Sequence, residues 1–122
     1  MSLLSGTRVL VVEDEAILSL TLQDMLVDLG CVIAGTAARL ETALQMLNDT
    51  TFDVALLDVN LNGQRVDPLA QAISARGTPI IFVTGYGQAG LSAGMSGLVM
   101  EKPYDEARLE QVLARALGMA RV

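Results

Sequence analysis

Three stretches of the chain are continuously apolar rather than alternating: Val9-Leu10-Val11-Val12, Val54-Ala55-Leu56-Leu57 and Ile80-Ile81-Phe82-Val83. An unbroken run of this length fits a strand covered on both faces, as in a parallel sheet. Two weaker runs, Cys31-Val32-Ile33-Ala34 and Leu98-Val99-Met100, fit edge strands. Between the runs the apolar period lengthens to that of a helix. Leu18, Leu22, Met25 and Leu29 form one stripe, which Gly30 closes, and Leu40, Ala43, Leu44 and Leu47 form a second. Asp67-Pro68 reads as an N-cap and first turn ahead of Leu69, Ala72 and Ile73, with Gly77 as the stop. Asp105 caps a last helix carrying Leu109, Val112, Leu113, Ala116 and Leu117, ended by Gly118. Strand and helix alternate, which predicts an α/β doubly wound parallel sheet. Right-handed crossovers favour the flavodoxin-like (βα)5 order 2-1-3-4-5.

The stretch from Gly85 to Gly97 breaks this rhythm, holding five of the eleven glycines. Each interior glycine costs a helix about 0.8–1 kcal/mol relative to alanine. A shortened or disordered fourth helix is expected there. With 122 residues and no linker or repeat, the chain reads as a single domain over residues 1–122, with residues 1–6 a flexible start. The apolar share is 52% against 18% charged residues, which excludes disorder. The net charge of −6 argues against direct contact with nucleic acid or an anionic membrane surface. A single Cys31 forms no internal disulfide and suits a reducing cytoplasm. One cysteine and no histidine argue against structural zinc.

In a parallel sheet, chemistry collects at the carboxyl ends of the strands. The first strand runs into Glu13-Asp14-Glu15, the third ends at Asp58, the fourth at Thr84, and the fifth leads to Glu101-Lys102-Pro103. If the first and third strands are neighbours, Glu13, Asp14 and Asp58 share one pocket. Two carboxylates ~4 Å apart repel by roughly 4 kcal/mol at an effective dielectric of 20. Lys102 is one available cation, and a hard divalent ion is another. Mg²⁺ suits this set of oxygens, with Asn60 placed to add its main-chain carbonyl. One carboxylate can then attack phosphorus to form an acyl phosphate. Lys102 and Thr84 would supply the ammonium and hydroxyl that meet the developing charge. Taken singly, each residue also has a plain structural reading. Asp14 or Glu15 caps the first helix, Asp58 sits in a turn, Thr84 is packing and Lys102-Pro103 is a turn.

The set as a whole resembles a known family. Val11-Val12-Glu13-Asp14-Glu15, Leu56-Leu57-Asp58-Val59-Asn60-Leu61, Val83-Thr84-Gly85 and Glu101-Lys102-Pro103-Tyr104 are similar to the receiver domain of two-component response regulators. Phe82-Val83-Thr84-Gly85-Tyr86 further resembles the alphaproteobacterial sub-group called FAT GUY receivers. The resemblance implies that Asp58 is the phosphoacceptor and that the phosphoryl donor is a histidine kinase or phosphotransfer protein. It implies Mg²⁺ on Asp14 directly, on Glu13 largely through water, and on the Asn60 carbonyl. It also implies Thr84 and Lys102 on the phosphoryl oxygens, and a cis peptide before Pro103. A cytoplasmic signalling protein rather than an enzyme is expected, switching the surface of Thr84 and residues 85–97 toward a protein partner.

Three departures from the family pattern stand out. The aromatic expected three residues before the lysine is Val99, which leaves Tyr86 as the switch candidate. The usual proline after the phosphoacceptor is replaced by Asn62-Gly63, from which a looser turn is expected. The interval from Thr84 to Lys102 is about one helical turn short. Val99 and the degenerate fourth helix keep a second reading open, a pseudo-receiver that docks proteins without being phosphorylated. Two enzyme classes fare worse. A flavodoxin-type cofactor site is opposed by Glu13-Asp14-Glu15, which would repel the phosphate. A haloacid-dehalogenase-type phosphatase is opposed by Asn60 standing where a second acid is needed, and by the lack of a cap insertion.

Overall fold

The computed structural model describes residues 3–85 and 97–119. Within them the elements run β1 (Arg8–Val12), α1 (Ala16–Asp28), β2 (Val32–Ala37), α2 (Leu40–Met46), β3 (Val54–Asp58), β4 (Asn60–Leu61), β5 (Gln64–Arg65), α3 (Asp67–Ala75), β6 (Ile80–Thr84), β7 (Leu98–Glu101) and α4 (Glu106–Ala116). Five strands form one parallel sheet in the order β2-β1-β3-β6-β7. Counting only those five, this is the expected order 2-1-3-4-5. The apolar runs are its three central strands, and the two weaker runs are its edges.

Side chains along a strand point alternately to opposite faces. The sheet therefore divides two hydrophobic layers. Val9, Val11, Val54, Leu56, Ile81 and Val83 pack with Leu22, Leu26, Leu109 and Val112 under α1 and α4. Leu10, Val12, Ala55, Leu57, Ile80 and Phe82 pack with Ala43, Leu69 and Ile73 under α2 and α3. A continuous apolar run is what two-sided burial demands, because either face lacks water to satisfy a polar group.

Several local details depart from the expectations. The described start of the chain is not a loose lead. Leu4 is fully buried in the layer under α1 and α4, and the Gly6 N–H donates to the Gly30 carbonyl at 2.8 Å. Gly30 has a φ of 91°, and a Cβ there would lie 3.0 Å from Ser5 Oγ, so the helix stop and the incoming chain fit together. α3 begins at Asp67 itself, with Val66 in the cap position and Pro68 in the first turn. The Asp67 carboxylate pairs with Arg65 Nε at 3.4 Å. Glu15 holds the N-cap position of α1 without a side-chain cap bond. Asp105 does cap α4, accepting from the Arg108 N–H at 2.8 Å. Leu18, the first member of the α1 stripe, remains exposed, as do Ile17, Leu20 and Val27.

Asn62-Gly63 is the clearest difference. In place of a loose turn, β4 and β5 form a two-residue antiparallel hairpin, pairing Asn60 with Arg65 and Leu61 with Gln64. Both turn residues have positive φ, 51° at Asn62 and 85° at Gly63. Asn-Gly is the pair that tolerates this geometry best. The expected short or disordered fourth helix and Tyr86 fall within residues 86–96, outside the described residues.

Candidate phosphoacceptor and metal site

Register assembles the site. Val12 of β1 pairs with Leu57 of β3, so Glu13 and Asp14 leave the sheet beside Asp58. Asp58 pairs with Val83, which puts Thr84 one step beyond it on β6. Thr84 pairs with Glu101 of β7, and the Lys102 N–H donates to the Thr84 carbonyl at 2.9 Å. Four separate stretches of chain thus end at one rim.

Carboxylate oxygens of Glu13, Asp14 and Asp58 all lie within 4.8 Å of one another. Lys102 Nζ is 3.4 Å from Asp58 Oδ2 and 3.7 Å from Glu13 Oε2. The Lys102-Pro103 peptide is cis. Thr84 is buried at the end of β6. Asn60 is exposed on the hairpin, and its N–H points to Asp58 Oδ1 at a long 3.4 Å. Glu13, Asp14, Asp58 and Lys102 therefore converge, Thr84 and Asn60 lie on the adjoining strand end and hairpin, and Tyr86 falls outside the described residues. Val99 sits half-buried in β7, opposite Phe82 and against the layer under α2 and α3.

The electrostatics follow from crowding. Glu13 is only 6% exposed, and its carboxyl is pushed up from 4.5 to about 7, first by burial and then by the Asp58 charge. A hydrogen bond from the Glu15 N–H and the Lys102 charge oppose that rise. Burial alone would lower the Lys102 pKa, but the Asp58 and Glu13 carboxylates outweigh it and hold the ammonium above its usual value. Three carboxylates facing one ammonium leave an excess of negative charge. A hard divalent cation would cancel it, and oxygen donors are what Mg²⁺ selects. The residues present thus fit the metal.

Two contributors escaped the sequence reading. The Asn62 N–H donates to Asp14 Oδ2 at 2.9 Å across the molecule. The Asn-Gly pair signals a tight hairpin, but nothing local says which carboxylate its amide meets. Tyr104 lines a cavity of about 430 Å³ beside the acids, with Glu13, Leu18, Thr21, Met25, Lys102 and Pro103. Burial pushes its hydroxyl up to about 12, helped by the charges of Glu13 and Asp58.

Comparison with known proteins gives a consistent picture. A sequence model of the response regulator receiver domain matches residues 9–114. The sensory transduction protein LytT of Bacillus subtilis is 30% identical over 113 residues, which are 88% of this chain and 47% of LytT. The chain spans about half the length of the curated relatives it matches, or less. Among solved structures, SdrG of Sphingomonas melonis superposes with a TM-score of 0.81 at 33% identity, covering 92% of this chain and 97% of that one. Its BeF3-activated conformation superposes less closely, at 0.75. The receiver domain of a Pseudomonas aeruginosa sensor histidine kinase superposes at 0.79 with 27% identity, covering 93% of this chain and 99% of its own. That protein holds a magnesium ion coordinated in its active-site cleft.

Proposed function

The chain belongs to the response regulator receiver domain family, and from that premise we propose that Asp58 is the phosphoacceptor of a two-component phosphorelay. The observation that carries this reading is the convergence of three carboxylates and Lys102 at the ends of separate strands. The donor is a histidine kinase or a histidine phosphotransfer protein. An Asp58 oxygen attacks phosphorus as the P–N bond to the donor histidine breaks. The bonding pair leaves with the imidazole, and an acyl phosphate remains on Asp58. Lys102, already 3.4 Å from Asp58, is placed to pair with a phosphoryl oxygen. Thr84 stands at the neighbouring strand end to donate its hydroxyl to another. Mg²⁺ bound by Glu13, Asp14, Asp58 and the Asn60 carbonyl would neutralise the charge that builds on the transferring group.

On this reading the chain is a cytoplasmic signalling protein without turnover of its own, and its charged state is read by a protein partner at the surface of Thr84 and residues 85–97. The magnesium site of the Pseudomonas receiver and the beryllofluoride-responsive SdrG support it. Val99 favours a second reading, a docking module that is never phosphorylated, because the usual rotating aromatic is missing from β7. Incubation with Mg²⁺ and acetyl phosphate separates the two. Phosphorylation predicts a mass gain of one phosphoryl group that is absent in Asp58→Asn. If neither acetyl phosphate nor any histidine kinase yields that gain, the docking reading stands instead.

A further inference from the structure

The three acids of the cluster are not held in the same way. Glu13 Oε1 accepts from the Glu15 N–H at 3.1 Å, and Asp58 Oδ1 faces the Asn60 N–H at 3.4 Å. Both donors lie two residues along the same stretch of chain, so local backbone geometry fixes them. Lys102 pairs with these same two acids. Asp14 is held differently. Its Oδ2 accepts at 2.9 Å from the Asn62 N–H, 48 residues away, at the tip of the β4–β5 hairpin.

A carboxylate at the mouth of a loop has several staggered rotamers open to it. One oxygen tied to an amide leaves the other free to face the cluster. The direction of that amide is set by the turn. The Asn62 N–H meets Asp14 from a turn whose two residues both have positive φ, and Asn60 Oδ1 locks the loop by accepting from the Gly63 N–H at 2.8 Å. The base is anchored in the interior: Leu61 is buried, and the Val66 N–H donates to the Val59 carbonyl at 3.1 Å. A Cβ on Gly63 would meet nothing within 4 Å, so glycine is there for its backbone conformation rather than for space.

We propose that the Asn62-Gly63 turn is a positioning element for the divalent cation: its Asn62 N–H orients Asp14, and metal affinity depends on the left-handed geometry of the turn. This rests on the reading of Glu13, Asp14 and Asp58 as the metal seat. It adds that the hairpin sets how tightly the seat holds. Groups that hydrogen-bond a metal ligand commonly change affinity by about 10–100-fold when removed. Asn60 lies in β4, so the same hairpin also carries the carbonyl assigned to the metal.

Calorimetric titration of the full metal-free chain with MgCl₂ tests this. Asn62→Pro removes both the donor and the positive φ, and is expected to weaken Mg²⁺ binding about tenfold or more. Gly63→Val keeps every amide but strains the turn, and is expected to weaken binding several-fold. Asn62→Gly keeps both the amide and the conformation, and is expected to bind within about twofold of the wild type. In the wild type the Asn62 ¹H–¹⁵N resonance should shift along the same titration curve. A folded Asn62→Pro that binds Mg²⁺ like the wild type overturns the proposal. Should that variant not fold, wild-type affinity in Gly63→Val overturns it equally. A wild-type chain that binds no Mg²⁺ overturns the metal seat itself, a different failure.

Discussion

The middle of the sheet and its carboxyl rim lie about one residue apart, yet they are built on opposite terms. In the middle, Val9 to Val12, Val54 to Leu57 and Ile80 to Val83 are apolar and almost wholly shielded from water. Every side chain there gains from burial. At the rim, the next residue along β1 is a buried Glu13 pressed against Asp58, and β6 ends on a buried Thr84. The contrast shows where stability is made and where it is given up. The metal-free rim carries repulsion that the core must outweigh, and that repulsion is what makes it a receptor for cations and phosphate.

The largest break in this comparison comes from cutting the core. Leu56→Ala, in the centre of β3, should destabilise the protein by ~3–4 kcal/mol in urea unfolding. A second, smaller effect has the opposite sign. Asp58→Asn removes two repulsions, from Glu13 and Asp14, at the expense of one attraction to Lys102. It should stabilise the metal-free protein by about 1 kcal/mol while abolishing phosphorylation. A destabilised Asp58→Asn would refute the picture of a strained rim.

A third effect, comparable to the core cut, sharpens the comparison through pH. The Glu13 carboxyl is raised from 4.5 to about 7 in the folded state, so between those values the folded chain binds more protons than the unfolded one. Stability of the metal-free protein should therefore fall as pH rises from 4.5 to about 7. The melting temperature should drop by about ten degrees across that window. Saturating Mg²⁺ should flatten the slope, and in Asp58→Asn the Glu13 pKa should move down, since the Asp58 charge is the second cause of its rise.

What could be read beforehand divides along the same line. The core strands were plain because two-sided burial leaves an unbroken apolar run, and the strand-end acids were plain because caps and turns explain each one singly but not their joint placement. What depends on distant contacts was not. Leu4 looked like part of a loose lead because its burial rests on a turn that meets Gly30. Asn62-Gly63 carried the right turn chemistry, but the missing proline suggested looseness, and the amide's partner lies 48 residues back. Asp67 looked like a cap, yet the short hairpin before it places Val66 there and turns Asp67 toward Arg65.

The alternation of side chains along β1, β3 and β6 has a consequence for how this chain can vary. The sheet is a partition, with α1 and α4 packed on one side and α2 and α3 on the other. Changes deep in one compartment rarely touch those in the other, so their effects should combine almost independently. Sequence drift can then remodel either flank on its own schedule while the backbone wall between them keeps the rim in place.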